Sequence, residues 1–174
     1  MSPPTLTTAR LTMTPPQLAD FEDSAAMWAD PVVIRYFGRD AFTEEESWTR
    51  LLRARGLWEV LGFGYWAVRE TATGRYVGEV GFADLHRDLQ PSLGGLPEMG
   101  WVLAAWAHGQ GFGTEAVRAG LAWIDEVMAP PVIPCIIDVE NTPSIALATK
   151  VGFTLKTHTH FKGAPIVVME RKRP

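Results

Sequence analysis

Residues 106–116, "WAHGQGFGTEA", place three alternating glycines directly before a stretch with helical spacing. The first N–H groups of a helix lack partners within the helix, and the helix dipole makes this end positive. Glycines at such a position let the backbone approach an anion closely and direct N–H groups toward it. The stretch therefore has two interpretations: a phosphate-binding turn over residues 108–114, or a flexible connection between a strand and a helix.

Two well-known phosphate-binding loops do not match this turn. A P-loop requires Lys followed by Ser or Thr after its last glycine, whereas Gly113 is followed by Thr114 and Glu115. The dinucleotide fingerprint has G-x-G-x-x-G spacing in a parallel βαβ unit, whereas the spacing here is G-x-G-x-G and the preceding segments favour an antiparallel meander. Glu115 would repel phosphate, and it is better explained as a favourable charge in the first helical turn.

The hydrophobic pattern predicts one α+β domain over residues 1–174 with a mixed sheet. The predicted order is a strand, helices, three sequential strands, a helix, a strand, a helix and two strands. A capping box predicts a helix over 44–60, with Trp48 and Leu52 on its apolar stripe. A later helix is predicted over 113–128.

The composition is that of an ordinary globular protein, and its net charge of −4 argues against a nucleic-acid partner. No apolar run approaches the roughly 20 residues of a membrane span, and the N-terminus lacks a signal-peptide core. We therefore expect a cytoplasmic protein with no membrane partner. The single cysteine, Cys135, excludes an intrachain disulfide and is expected to be buried. His158 and His160 share a strand face, but nothing completes a metal site, and no metal is expected.

Three ordered stretches resemble the GNAT (GCN5-related) N-acetyltransferase family. They are "PEMGWVL" at 97–103, "HGQGFGTEAV" at 108–117 and "ENTPSIALATKVGF" at 140–153, and "DPVVIRYFG" at 30–38 and "YWAVRETATGRYVGEVGF" at 65–82 also match in place. The chain is most similar to the RimJ/RimL-like ribosomal-protein alanine N-acetyltransferase branch over nearly its whole length. The resemblance implies an α/β/α layered, acyl-CoA N-acyltransferase fold. Its sheet would be mixed and mostly antiparallel, with six or seven strands, a splayed central pair, and helices on both faces.

The resemblance also implies a site for acetyl-CoA as co-substrate. Main-chain amides of the glycine-rich turn would wrap the CoA diphosphate, and this turn comprises His108, Gly109, Gln110, Gly111, Phe112, Gly113 and Thr114. The strand at 99–103 would part from the strand at 133–138, leaving a gap for the pantetheine arm. Pro134 agrees with this because it lacks an N–H, although residues 132–135 also suit a loop before a shorter strand. Gly100 suits either close cofactor approach or a bulge.

The strand ending at Leu103 would polarise the thioester, with the backbone N–H of Trp101 or Val102 as the donor to the oxyanion. Asn141 would hydrogen-bond to pantetheine. Ser144 would protonate the leaving thiolate, directly or through water. A structural interpretation also exists, because Asn141 is a good helix N-cap and a serine hydroxyl is common in a first turn.

Two carboxylates, Glu98 and Glu79, are candidates for accepting the proton of the amine, and Glu98 is preferred. The alternative for each is a solvated or structurally paired carboxylate, and an amine that arrives deprotonated needs neither. Tyr36 and Phe37 lie in a region that the family uses for acceptor recognition, although core packing is the favoured interpretation for Phe37. Trp48 is expected in the core, whereas Trp58, Trp66 and Trp106 are candidates for an acceptor pocket.

These features predict an acetyl-CoA-dependent N-acetyltransferase that acts on a primary amine of a protein N-terminus or small molecule by direct attack. The alternatives are a non-catalytic acyl-CoA-binding or sensor domain of the same fold, and an enzyme that uses a longer acyl-CoA. No motif specifies the acceptor. Both a monomer and a homodimer are compatible with the sequence.

Overall fold

The computed structural model describes residues 3–173, which form an α+β domain with two antiparallel sheets. The five-stranded sheet has the order β1-β2-β3-β4-β5, and the three-stranded sheet has the order β6-β8-β7. The strands are β1 (Leu6–Thr7), β2 (Leu11–Thr14), β3 (Tyr65–Glu70), β4 (Tyr76–Ala83), β5 (Glu98–Leu103), β6 (Val132–Asp138), β7 (Thr154–Phe161) and β8 (Ala164–Lys172). The helices are α1 (Phe21–Ala29), α2 (Pro31–Ile34), α3 (Glu44–Leu61), α4 (Phe112–Val127) and α5 (Thr142–Lys150).

The α+β class is confirmed, with one strand more than the sequence predicts. The additional strand is β1, whose two residues pair with β2 and are too short to produce a periodic pattern. The expected splayed pair is β5 and β6, which belong to separate sheets because no ladder joins them within residues 3–173. All the recorded strand pairs are antiparallel.

The helix α3 begins and ends where its sequence signals predict. Thr43 accepts a hydrogen bond from the Glu46 N–H at 3.2 Å, and the Glu46 carboxylate accepts one from the Thr43 N–H at 2.9 Å. This reciprocal box satisfies two N–H groups that the first turn leaves without helical partners. Gly62 follows the last turn with φ of 74°, which closes the helix in a left-handed cap.

The core lies between α4 and the five-stranded sheet. Gly120 of α4 packs close to the sheet, because a Cβ there would lie 3.4 to 3.7 Å from Met99, Trp66 and Phe82. Trp58 and Trp66 are 3% and 0% exposed and meet edge to face. These two tryptophans therefore belong to the core and do not line an acceptor pocket.

The predicted core position of Trp48 is wrong. Trp48 is 40% exposed and Leu52 is 55% exposed, so this pair lies beside the packed stripe of α3 rather than on it. The buried residues of α3 are Ser47, Leu51 and Trp58. Trp48 contacts the edge of Phe21 from α1, with 5.1 Å between ring centroids, and this neighbour covers only part of the indole.

Candidate active site

The strands β5 and β6 each keep one edge without ladder hydrogen bonds. β5 pairs with β4 on one side, from Gly78 opposite Leu103 to Ala83 opposite Glu98, and β6 pairs with β8. Between their other edges lies a cavity of about 790 Å³, lined from both strands by residues 99–102 and 135–138. An open strand edge presents unpaired N–H and C=O groups, which an extended ligand can satisfy.

The β5 backbone alternates in a way that separates the two oxyanion-donor candidates. The Ala104 N–H donates to the Val77 carbonyl, on the β4 side, at 2.9 Å. Val102 lies two residues before Ala104 and is in register with Glu79 of β4, so its N–H points to the same side. Since neighbouring residues of a strand direct their N–H groups to opposite sides, the N–H of Val102 points to β4 and that of Trp101 points toward β6. Trp101 is therefore the candidate whose backbone N–H faces the cavity.

Pro134 lies within a full-length strand rather than in a loop. β6 begins at Val132, and Pro134 is in register with Glu170 of β8. Cys135 follows it and is 1% exposed, as expected, and this burial raises the pKa of its thiol.

The glycine-rich turn over residues 108–114 is exposed from His108 to Gly111 and buried at Phe112 and Gly113. Gly109 and Gly111 have φ of 73° and 81°, in the left-handed region that side chains with a Cβ rarely adopt. Within residues 3–173, no group accepts a hydrogen bond from the six N–H groups of residues 109–114. Together they supply donors at the positive end of a 16-residue helix, which suits a phosphate.

Two residues of the turn have roles that the sequence does not reveal. The His108 N–H donates to the Ala105 carbonyl at 3.3 Å, so it does not join the six N–H groups that have no acceptor. The His108 ring forms a hydrogen bond with the Leu103 carbonyl at 2.9 Å, which ties the turn to β5. At Gly113, a Cβ would lie 2.9 Å from methyl carbons of both Leu103 and Leu147, so this glycine permits close packing rather than an unusual backbone angle.

The turn is anchored from the N-terminal segment through Glu115. The carboxylate of Glu115 accepts hydrogen bonds from the Thr8 hydroxyl at 2.6 Å, the Arg10 N–H at 2.8 Å and the Arg10 Nε at 2.7 Å. Burial raises the pKa of Glu115, but these hydrogen bonds outweigh it and lower the pKa overall. Arg10 also donates to the Gln110 carbonyl at 3.0 Å. The sequence did not predict this role of Arg10, because no motif connects Arg10 with the turn.

Ser144 and Trp101 meet across the gap. The indole Nε1 of Trp101 donates to the Ser144 hydroxyl oxygen at 3.3 Å, and both residues line the cavity. Asn141 is the N-cap of α5, where its side-chain oxygen accepts the Ser144 N–H at 3.2 Å. The structure therefore brings together three predicted site residues, and it also shows Asn141 in its structural role.

Both candidate bases have partners. Glu98 is 4% exposed, and Arg87 donates to its two oxygens at 2.6 and 2.9 Å. Glu79 uses one oxygen to accept from Ser24 at 2.6 Å, from Trp28 at 3.2 Å and from Tyr76 at 3.3 Å.

The other oxygen of Glu79 lies 3.9 Å from Arg50 Nη2. It is therefore less engaged than either oxygen of Glu98, because 3.9 Å exceeds hydrogen-bond distance. Both carboxylates line the cavity.

We call the part of the cavity lined by Trp28, Phe42, Arg50, Tyr65 and Glu79 the acceptor end. Burial, and then the charge of Glu98, raise the pKa of Tyr65 to about 12, so its hydroxyl stays protonated. A Cβ on Gly100 would lie 2.4 Å from that hydroxyl. Gly100 therefore makes room for Tyr65, and it is not a bulge, because its register with Gly81 is regular.

The expectations for the aromatic residues have different outcomes. Tyr36 and Phe37 line the cavity at the acceptor end, and Phe37 is 45% exposed. Trp106 donates its indole N–H to the Tyr76 carbonyl at 2.9 Å and does not line the cavity. Within residues 3–173, no three His, Cys, Asp or Glu residues are close enough to form a metal site, and no helix is both long and apolar enough to cross a membrane.

Residues 10–154 match the family model described as an acetyltransferase (GNAT) domain. This match covers more than half of the chain, and the chain belongs to the GNAT acetyltransferase family. It is an acetyl-transferring enzyme of the α+β GNAT fold, in agreement with the prediction and not with a non-catalytic sensor domain.

Similar proteins agree with this assignment. A structure assigned to the GnaT-family acetyltransferases, from Bordetella pertussis, is 30% identical with a TM-score of 0.86, over 97% of this chain and 99% of that one. An acetyltransferase structure from Agrobacterium tumefaciens is 25% identical with a TM-score of 0.85, over 99% and 96% of the two chains. A protein named N-acetyltransferase p20 from Bacillus licheniformis is 26% identical over 150 residues, which is 86% of this chain and 82% of that protein.

More distant structures share the fold. RimL, an acetyltransferase of ribosomal protein L7/L12 solved with coenzyme A, is 13% identical with a TM-score of 0.79, over 97% of this chain and 98% of that one. Spermidine N-acetyltransferase from Vibrio cholerae, solved with CoA and spermine, is 15% identical with a TM-score of 0.74, over 95% and 96% of the chains. At this level of identity, the likeness shows the shared fold.

Proposed function

We propose that this enzyme transfers an acetyl group from acetyl-CoA to the primary amine of a protein N-terminus or a small molecule by direct attack. The observation that carries the proposal is a pair of backbone surfaces on one strand–turn–helix segment. The six N–H groups of residues 109–114 without acceptors lie at the start of α4, and β5, which ends at Leu103 shortly before this turn, borders the cavity with its open edge. A diphosphate suits the first surface, and the amide-containing pantetheine arm suits the second.

The structures of RimL and spermidine N-acetyltransferase support CoA as the ligand of this surface, because both contain it in the same fold. In this chain, residues 109–114 would hold the diphosphate with main-chain N–H groups, and Arg10 would hold the turn in place through the Gln110 carbonyl. Asn141 and Ser144 would flank the thioester from α5. A phosphate held by backbone groups needs no particular side chain, so His108 at the start of the turn does not conflict with this role.

Acyl transfer begins when the neutral amine attacks the thioester carbonyl carbon and the carbonyl oxygen becomes an oxyanion. The N–H of Trp101 faces the gap and is the donor that stabilises this oxyanion. As the tetrahedral intermediate collapses, the carbon–sulfur bond breaks and the CoA thiolate leaves. The amide product, the thiolate and one proton from the amine then account for all atoms and charges.

Ser144 supplies the proton that the thiolate needs. Indole N–H groups only donate, so the Ser144 oxygen acts as acceptor toward Trp101 and its own hydroxyl hydrogen stays available. The indole thereby orients the serine toward the strand gap. Ser144 then regains a proton from water.

Glu79 is the better placed of the two candidate bases. Both oxygens of Glu98 accept from Arg87, whereas one oxygen of Glu79 has only a 3.9 Å contact with Arg50. We infer that Glu79 accepts the amine proton through water and that Glu98 positions Arg87. In this assignment Glu98 fixes the shape of the acceptor end rather than carrying the proton.

Two measurements test this function. Calorimetric titration of acetyl-CoA is expected to show saturable binding at one site per chain, and acetylation is expected to release CoA thiol when an amine is added. Absence of acetyl-CoA binding would contradict the whole proposal. Competition by acyl-CoA molecules of increasing chain length tests the acyl group, and the proposal requires acetyl-CoA to give the highest kcat/KM.

A further inference from the structure

Arg50 stands out among the charged residues of the acceptor end. Its side chain is 25% exposed, and its Nε is buried without a hydrogen-bond partner among residues 3–173. The nearest carboxylate oxygen, on Glu79, is 3.9 Å from Nη2 and therefore beyond hydrogen-bond distance. A desolvated guanidinium with unsatisfied N–H groups is costly, because buried charges are normally paired.

The contacts that Arg50 does make leave its N–H groups available. Its guanidinium carbon lies 3.6 Å from the ring centroid of Trp28 and 5.2 Å from that of Phe42. Such stacking uses the face of the guanidinium, whereas its donors lie in the plane and point outward. Glu79 is occupied on its other oxygen by Ser24, Trp28 and Tyr76, which holds that carboxylate away from closer pairing.

Two other arginines that line the cavity are already neutralised. Arg39 forms two hydrogen bonds with Glu46 at 2.7 and 2.8 Å, and Arg87 forms two with Glu98. Arg50 differs from these two because no carboxylate oxygen among residues 3–173 lies within hydrogen-bond distance of it, and Arg53, which also lines the cavity, adds a further positive charge there. Burial lowers the pKa of Arg50, the charge of Glu79 opposes this, and the charges of Arg53 and Arg39 lower it further. An added anion at Arg50 would relieve both the desolvation and the repulsion among these arginines.

We propose that Arg50 binds an anionic oxygen group, carboxylate or phosphate, on the same molecule that carries the acetylated amine. The group and Arg50 form a charge-assisted pair, and the ammonium end lies toward Glu79 before it loses its proton. The 3.9 Å separation of Arg50 and Glu79 places a cation and an anion side by side, which is complementary to a molecule carrying the two opposite charges close together. This inference rests on the proposed acetyltransferase function, and it makes polyamines poor acceptors.

Matched pairs of amines test the substrate class. CoA release is measured with alanine against alaninamide and with phosphoethanolamine against ethanolamine, and spermidine is included as a polyamine. Rates are compared at equal concentrations of the neutral amine, so that differences in amine pKa cancel. The anionic member of at least one pair is expected to have a kcat/KM about tenfold higher or more. The pair with the larger ratio distinguishes carboxylate from phosphate, and equal or better use of the neutral amines or spermidine overturns the proposal.

Substitutions at Arg50 test the residue. Arg50→Gln is expected to bring the anionic-to-neutral ratio close to one, and Arg50→Lys, which retains the charge without the planar fork, is expected to retain part of it. Arg55→Gln is the matched control, since Arg55 is on the same helix, pairs with Glu59 at the surface and does not line the cavity. If Arg50→Gln keeps the wild-type ratio, Arg50 is not the anion ligand. Arg50→Lys answers the same question if the glutamine variant does not fold.

A binding measurement separates this proposal from the function on which it rests. Thermal unfolding of the CoA complex is recorded with each amine, and anionic amines are expected to raise the midpoint for the wild type and less for Arg50→Gln. If acetyl-CoA binds but no anionic amine is turned over or stabilises the complex, the anion site is wrong and the cofactor site stands. If acetyl-CoA itself does not bind, the proposed function fails first.

Discussion

The two ends of the candidate site are built from different chemical groups. The cofactor end consists of backbone, namely the N–H groups of residues 109–114, which lie outside the cavity lining, and the open edge of β5, which borders the cavity. The acceptor end consists of side chains from separate elements, with Arg50 on α3, Tyr65 on β3 and Glu79 on β4. A backbone site survives many changes of residue, whereas a side-chain site changes with each one. One fold can therefore keep its cofactor while its acceptor varies.

The largest effect is expected from Gly111→Val, which distorts the backbone N–H groups of the glycine-rich turn. Gly111 has φ of 81°, and valine in that conformation shifts the turn and its N–H groups. Acetyl-CoA affinity, measured by calorimetry, is expected to fall by roughly 100-fold or more, because several charge-assisted hydrogen bonds to the diphosphate are lost.

The control for that substitution is Gly74→Val in the hairpin between β3 and β4. Gly74 has φ of 72° and open space around it, so the same strain arises away from the cavity. This variant is expected to lose stability in urea unfolding while keeping its acetyl-CoA affinity. Equal loss of affinity in both variants would mean that general destabilisation, and not the turn, controls cofactor binding.

Ser144→Ala is expected to have the next largest effect, on turnover rather than binding. It removes the proposed proton donor to the thiolate, and general acid catalysis contributes on the order of 10²-fold or more to such a step. The expected result is a kcat lower by about that factor, with an almost unchanged dissociation constant for acetyl-CoA. Thr149→Ala is the control, because this exposed hydroxyl of α5 bonds only to the Ile145 carbonyl. An unchanged kcat in Ser144→Ala would remove Ser144 from the mechanism.

Gly100→Ala tests the boundary between the two ends. The new methyl would lie 2.4 Å from the Tyr65 hydroxyl and 3.2 Å from its ring, so Tyr65 must move. Such overpacking costs about 1–3 kcal/mol in unfolding free energy, measured with urea. Adding Tyr65→Phe is expected to recover part of this loss, since the closest atom is removed. No recovery in the double variant would show that the strain lies elsewhere.

The smallest effect is expected from the Glu115 anchor, and it depends on pH. The pKa of Glu115 is lowered in the folded protein below that of a glutamate in the unfolded chain, so its stabilisation is full above the unfolded pKa. It is lost as the pH falls through the lower folded pKa. The unfolding free energies of the wild type and Glu115→Gln are therefore expected to differ at pH 7, by less than about 1 kcal/mol after solvent screening. This difference should shrink as the pH falls through the folded pKa of Glu115, and a difference that grows on acidification would contradict the anchor.

The cofactor end was predictable because backbone sites leave conformational signals in the sequence. Alternating glycines, an N-cap at Asn141 and a proline in β6 each report on the local chain, and Asn141 also lines the cavity. Even there, the closeness of Arg10 to Glu115 was not predictable, because 105 positions separate the two residues. The choice between Trp101 and Val102 required the phase of the β4–β5 ladder.

The acceptor end left almost no signal in the sequence. Arg50 occupies a polar position on a helix, and nothing local distinguishes it from the surface residue Arg55. Its burial depends on Trp28 and Glu79, which arrive from other elements. The burial of Arg50 could not be predicted, whereas the burial predicted for Trp48 is wrong. Apolar spacing predicted a core position for Trp48, but the fold leaves its side chain 40% exposed.

The open edges of β5 and β6 also bear on how the two sheets are fastened to each other. No ladder joins these strands within residues 3–173, so the hydrogen bonds that would connect the sheets are left for an extended ligand to supply. Such a ligand would act as a removable strand, and the proposed cofactor would then bridge the two sheets as well as react.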